Sequence, residues 1–338
     1  MHPRIRQALN GQRFFKVICG ASYRNARFVA HFSEIFALAG AHVIDIGAEP
    51  QLVRAVRQGI ERAQARDPHL PAPLIMISVG INEDVHFLRV QKTDALCENH
   101  GYCANACPHG VFVEGALRLE NCLGCDHCVI ACPEKALTLV PREPLDTVDV
   151  LIRQCFAEGA SAIEVHTGHG GREALHDIFK RLAPWREHIE LLACSLGAHD
   201  QSEAELVSLA QDIVTAWGDE LIIQADGQPI SGRKGWRSTW PALVLAQALF
   251  EANVDAFIQV SGGVNDLTRE MACREQIPIH GVGTGSFARK YIGLSPETET
   301  LSDADFAEAV RRARTLVASA DAARFADKTV KIKEQPYA

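Results

Sequence analysis

The sequence predicts an α/β fold of the (βα)8, TIM-barrel-like class, interrupted after its third strand by a separate cysteine-rich insertion. Three observations predict it. Short apolar, β-branched runs, eight of strand length, alternate with amphipathic helical stretches, the pattern of βα units around a parallel sheet. Several of these runs lead into glycine-rich turns such as G-A-E-P and S-G-G-V-N. The rhythm breaks once, where seven of the eleven cysteines fall between Cys97 and Cys132. An open doubly wound sheet uses the same units and strand count alone does not prove closure; eight strands, each with a following helix, favour the barrel.

In chain order, the predicted strands are Phe15–Cys19, His42–Ile46, Leu74–Ser78, Ala162–His166, Leu191–Ser195, Leu221–Ala225, Ala256–Val260 and Ile277–Gly281. The first helix of the series is expected to be capped by Asn25 and stopped at Gly40, because Asn accepts from the first-turn N–H groups and Gly tolerates the left-handed exit. A closing helix is expected from Asp303 to about Ala322, with a peripheral polar tail. Residues 81–143 stand where a connection of about two to six residues is usual. The barrel is therefore divided between residues 1–80 and 144–338, with 81–143 as the insertion. A strand-to-helix loop puts that insertion at the C-terminal mouth, where barrel active sites are built.

With 338 residues, 47% hydrophobic and 22% charged, the chain is long enough for a large core. A formal charge of −8 argues against nucleic acid as a main partner, since phosphate binding needs a basic surface. The longest apolar runs are strand-sized, so no membrane span is expected, and the N-terminus lacks the apolar core of a signal peptide. A reducing, cytoplasmic setting fits these features and cysteines at metal-cluster spacing.

The insertion carries Cys122, Cys125, Cys128 and Cys132 at the spacing C-x2-C-x2-C-x3-C-P, the run by which bacterial ferredoxins hold iron-sulfur clusters, its last cysteine serving the other cluster. The preceding run repeats this with one letter changed: Cys97, His100, Cys103 and Cys107 before Pro108. One cluster would thus take Cys107, Cys122, Cys125 and Cys128, a [4Fe-4S] centre; the other takes Cys97, Cys103 and Cys132 with His100 at its fourth corner. Either His100 ligates iron, raising the potential as imidazole does in Rieske centres, or it points away and leaves a [3Fe-4S] centre. Paired cysteines also bind zinc, but two interleaved runs each ending in Cys-Pro favour iron-sulfur. His127 is expected at the surface, Cys155 and Cys273 in the core, and Cys19 and Cys194 near the mouth.

Alternation along the strands turns Lys16, Asp45, Glu164, His166, Gln224, Asp226 and Gln259 toward the barrel interior or rim. Lys16, Glu164, His166 and Asp226 are the catalytic candidates; the alternative is a set of mutually satisfied polar pairs, for example Lys16 with Asp45. Glycine-rich turns after the last two strands place Gly262, Gly263, Gly283, Thr284, Gly285 and Ser286, with Arg289 and Lys290 beyond, as a candidate site for the phosphate of FMN. The segment Ala225–Gly235, with Asp226, Arg233 and Lys234, is a candidate lid. His166 and His169 with His199 and Asp200 offer a weaker divalent-metal alternative.

The segments F-F-K-V-I-C-G-A-S, L-A-G-A-H-V-I-D-I-G-A-E-P, the two cysteine runs, D-G-Q-P-I-S-G and G-S-F-A-R-K together resemble the cyanobacterial light-dependent period (LdpA) family. The resemblance extends through nearly the whole chain. It implies an iron-sulfur protein that reports cellular redox state, and so light, to the circadian clock and tunes its period through clock-associated proteins. The family's cluster cysteines fall on Cys97, Cys103, Cys107, Cys122, Cys125, Cys128 and Cys132; His100 departs from the general two-cluster pattern. The expected mechanism is a population shift in which cluster oxidation state changes the charge at the mouth and biases the loop from Asp226 to Lys234. The rival expectation is a flavin-dependent iron-sulfur oxidoreductase with FMN at the mouth, exchanging electrons with a redox partner such as a quinone or a ferredoxin.

Overall fold

The computed structural model describes residues 1–20, 25–80, 87–113, 116–122, 124–141, 148–168, 172–197, 201–218, 220–227, 235–294 and 301–325. Its first elements are α1 (Pro3–Asn10), β1 (Phe14–Gly20), α2 (Ala26–Leu38), β2 (Val43–Gly47), α3 (Pro50–Arg66) and β3 (Leu74–Gly80). Then come β4 (Leu88–Lys92), α4 (Tyr102–Ala106), β5 (Phe112–Val113), β6 (Ala116–Leu117), α5 (His127–Ile130) and β7 (Leu137–Pro141). The alternating rhythm resumes with α6 (Val148–Ala157), β8 (Ala162–His166), α7 (Arg172–Leu182), β9 (Leu191–Gly197), α8 (Glu203–Trp217) and β10 (Ile222–Asp226). It ends with α9 (Trp236–Glu251), β11 (Phe257–Ser261), α10 (Thr268–Arg274), β12 (Gly281–Thr284), α11 (Ser286–Ile292) and α12 (Asp303–Ser319).

The strands close in the order β1-β12-β11-β10-β9-β8-β3-β2, all neighbours parallel, so the (βα)8 barrel is realised and the open sheet is not. Closure brings Phe14 beside Gly281 and Met76 beside Ala162. The bottom is stoppered by α1. Its Ile5, Ala8 and Leu9 pack on the lowest inward residues Phe14, Val43, Met76, Ala162, Leu191 and Ile222, apolar area that favours the closed ring. Outward residues such as Val17, Ile44, Ile77 and Val165 pack beneath the helices in the main core.

Asn25 caps α2 as expected, its Oδ1 accepting from the Phe28 N–H at 3.1 Å, and Gly40 takes a φ of +88° just beyond the helix. Seven strands lie within two residues of their predicted bounds. The last does not: it runs Gly281–Thr284, whereas Ile277–Gly281 was expected. Ile277 and Ile279 are buried in the layer between barrel and helices, and the Ile279 carbonyl accepts from Arg269 Nη1 at 2.8 Å. Their apolar alternation therefore records helix packing, and pairing with β1 begins only at Gly281.

Between β3 and α6 the chain makes a lobe of its own. β4 and β7 pair antiparallel, β5 and β6 form a short hairpin, and α4 and α5 follow equivalent loops. Its small core joins Val90, Val111, Leu137, Cys122 and Cys128. Among the described residues no helix is long and apolar enough to cross a membrane.

Candidate functional site

The lobe repeats itself at an offset of 25 residues: Cys97 onto Cys122, His100 onto Cys125, Cys103 onto Cys128, Cys107 onto Cys132. The backbone repeats too. Asn99 and Gly101 are left-handed around His100, with φ of 56° and 78°, and Gly124 and Asp126 are left-handed around Cys125, with φ of 70° and 59°. His100 thus occupies the backbone position of a cysteine in the intact run.

The eight residues gather as two groups. Cys107, Cys122, Cys125 and Cys128 are close enough for their charges to interact; burial first, then Cys107, Cys122 and Cys125, pushes the Cys128 thiol up to about 11. Burial likewise raises Cys125, against a hydrogen bond from the His127 backbone. Thiols so raised lose their protons readily only to a bound cation. The second group, Cys97, His100, Cys103 and Cys132, lines one cavity of about 290 Å³ whose apolar wall includes Phe112, Leu117 and Leu137. Soft sulfur donors of this kind select iron-sulfur clusters or zinc. The imidazole of His100 faces carboxylates as well, with Nε2 3.4 Å from Glu98 and Nδ1 3.9 Å from Glu134. His127 is exposed, as expected.

Strand β4 joins this lobe to the barrel. The Val90 N–H donates to Cys122 Sγ at 3.3 Å. Three residues earlier, the Phe87 ring lies where a side chain on Gly80 would stand, and meets the His166 ring edge-on at 5.3 Å. Sequence reasoning missed Phe87, because a single aromatic outside any periodic pattern carries no signal.

Inside the barrel, Lys16, Asp45, Glu164, Gln224 and Gln259 are buried, while His166 and Asp226 stand at the rim. Lys16 Nζ is ion-paired with Glu164, three strands away around the ring. The expected Lys16–Asp45 pair is therefore corrected: Asp45 accepts from Ser78 Oγ at 2.7 Å and is hydrogen-bonded to Glu164. Burial would raise Glu164, but Lys16 and His166 outweigh it and hold the carboxyl below its ordinary range. Asp45 is pushed up to about 8 by burial and by the charge of Glu164, and Asp226 up to about 7 by the same two causes. Two carboxylates facing one lysine share a proton, as like charges in close quarters do.

Gly262, Gly263 and Gly283 have a packing explanation. A side chain on Gly263 would stand 1.9 Å from the Ser238 carbonyl, and one on Gly262 2.7 Å from the Gly227 nitrogen. Gly283 makes room for the Gln259 amide. Thr284 pairs with Val17, whose side chain packs beneath the helices, so it faces away from the interior. Gly285 and Ser286 open α11, and Arg289 donates to the Ile18 and Cys19 carbonyls at the end of β1. Cys19 and Cys194 are buried on the outer side, and burial raises both thiols, Cys19 to about 12. Cys155 is in the core and Cys273 is partly buried. His169, His199, Asp200, Arg233 and Lys234 lie outside the described residues, as does most of the expected lid.

Among solved structures, the octameric ribulose-1,5-bisphosphate carboxylase/oxygenase of Pyrococcus horikoshii aligns with 95% of this chain and 62% of its own, at 10% identity and a TM-score of 0.50. The carboxyl transferase domain of Rhizobium etli pyruvate carboxylase aligns with 93% of this chain at 14% identity and a TM-score of 0.48; the chain spans 50% of that structure. At 10% identity the likeness to the first of these is one of fold alone. The family profile described as "Light dependent period A C-terminal domain" matches residues 155–323. A curated relative named "Light dependent period A", from Synechococcus elongatus, is 31% identical over 265 residues, 77% of this chain and 73% of the relative. The chain belongs to the light dependent period A family.

Proposed function

We propose that this chain is an iron-sulfur redox sensor that relays cellular redox state, and through it light, to the period of the circadian clock. The observation that carries the reading is the division of eight donors into two groups of four, Cys107, Cys122, Cys125 and Cys128 apart from Cys97, His100, Cys103 and Cys132. Interleaved ligand runs of two-cluster ferredoxins require this crossing, in which the last cysteine of each run serves the other group. Three close donors from one run with a fourth from the other is the ferredoxin arrangement, whereas structural zinc sites are typically built from two C-x2-4-C or H-x3-5-H pairs.

Clusters held there would supply one-electron redox chemistry. The residues around them set how it is felt. Val90 N–H donates to Cys122 sulfur, and hydrogen bonds to cluster sulfurs are one of the levers on potential. Lys92 stands near Cys97 and is itself raised by hydrogen bonding to Asp94. The output side draws support from the relative's name, Light dependent period A, and its partners would be clock-associated proteins in a cytoplasmic setting. The flavin reading rested on the glycines around β11 and β12; packing accounts for Gly262, Gly263 and Gly283, while a side chain on Gly285 would meet nothing closer than 3.6 Å.

The test is anaerobic purification with iron, acid-labile sulfide and zinc quantification, and electron paramagnetic resonance during redox titration. Two unequal centres are expected, and His100→Cys should shift only the one served by Cys97, Cys103 and Cys132 to lower potential or add one iron to it. Colourless protein, stoichiometric zinc, or two identical signals at one potential would defeat the reading.

A further inference from the structure

The polar layer of the barrel has a direction. Lys16, its buried cation, is spent on Glu164. Gln224 Nε2 donates to Glu164 at 2.7 Å and to Asp226 at 3.1 Å, which fixes that amide with its oxygen turned toward β11. Gln259 Nε2 must then donate to Gln224 Oε1, and does so at 2.6 Å. Both amide orientations are thereby set by the carboxylates, and the far end of the chain is an acceptor: Gln259 Oε1 is fully buried without a hydrogen-bond partner. Ser261, beside Asp226 in the register of β10 and β11, donates its hydroxyl proton to the Gly283 carbonyl at 3.2 Å, leaving its oxygen to accept.

Among the described residues, Asp226 and Ser261 at the mouth and Gln259 Oε1 just beneath it therefore present acceptors on two adjacent strands, and Gln259 Oε1 has no donor. Buried acceptors without donors are costly, and a carboxylate in a low-dielectric mouth favours a cation. A bare metal ion fits less well. The barrel carboxylates are already engaged, Asp45 by Ser78, Glu164 by Lys16 and Asp226 by Gln224.

We propose that the β10–β11 wall of the barrel mouth binds a small organic cation carrying a protonated amine, its ammonium on Asp226 and a second donor on Gln259 Oε1. None of these residues belongs to the cysteine groups, and the proposal does not rest on the iron-sulfur reading. Among the described residues, the titratable groups facing Asp226 are Glu164, His166 and Lys16; burial and Glu164 hold its carboxyl up at about 7. Amine binding should accordingly strengthen as pH rises from 6 to 8, with proton release at the lower end.

The test is calorimetric titration of the full chain, purified anaerobically, with putrescine, agmatine and ethanolamine, against 1,4-butanediol and inorganic phosphate. At least one amine should bind tenfold or more tightly than butanediol, and Asp226→Asn should weaken it tenfold and flatten its pH dependence. The putrescine and butanediol comparison uses the unaltered protein, so it stands whether or not the variant folds. Equal binding of diol and diamine, no amine binding at millimolar concentration, displacement of the amine by phosphate, or undiminished affinity in folded Asp226→Asn would each overturn the proposal.

Discussion

Asp45 shows how one buried carboxyl couples the barrel to pH. It sits 1% exposed between Ser78 and Glu164 and is pushed up to about 8, first by burial and then by the Glu164 charge. An unfolded aspartate titrates near 4. Between those values the folded chain binds the extra proton, so Asp45 favours the fold most below pH 4, and that contribution is lost as pH rises through 8. Asparagine at this position keeps the acceptor for Ser78 and can donate to Glu164 where the protonated acid donates. Asp45→Asn is expected to gain stability relative to the parent progressively from pH 5 to pH 9, by up to about 4 kcal/mol, since about three pKa units lie between pH 5 and the folded value and each is worth about 1.4 kcal/mol. Denaturant unfolding across that range checks it; parallel curves for both proteins would mean that Asp45 ionises freely.

At the scale of elements, the turn after β11 separates a packing role from a ligand role. Gly263 has a φ of +77° and its missing side chain would overlap the Ser238 carbonyl at the start of α9. Gly40, at +88°, has nothing within 4 Å. Gly263→Ala should therefore cost roughly 3 kcal/mol or more, against about 1 kcal/mol for Gly40→Ala, which carries backbone strain alone. Unchanged stability in Gly263→Ala, with loss of anion binding, would restore a phosphate cradle there. The same contrast explains what was legible in the sequence. Inward and outward residues alternate along a strand whatever its neighbours, so the polar interior set was readable from period two. The partner of Lys16 was not, because Glu164 reaches it only through closure of the ring, which no local pattern encodes. The last strand was misplaced since Ile277 and Ile279 alternate for the sake of α10 and the barrel wall rather than a ladder. In the lobe, cysteine spacing made the two donor groups readable, while the left-handed residues that place His100 as a cysteine's equivalent were hidden among ordinary Asn, Gly and Asp.

For the whole molecule, the question is how a change at the sulfurs is felt by the barrel. One route among the described residues runs along β4 and the residue before it: Val90 touches Cys122 through its N–H, and Phe87 touches His166 and Gly80. His166 Nε2 is 3.5 Å from Glu164, and Glu164 carries Lys16, Asp45 and Gln224. A small displacement of β4 would therefore reach a packed aromatic pair before it reached the polar layer, and packed contacts transmit shifts rather than absorb them. On the redox-sensor reading, hydrogen exchange at the C-terminal ends of β8 and β10 should differ between reduced and oxidised protein. Phe87→Ala removes the ring while leaving every cysteine and the Val90 N–H in place. It should keep iron content and both resonance signals, yet lose at least half of that exchange difference. A difference that persists undiminished would show that the lobe and the barrel communicate by another route, or through the electrostatic field alone.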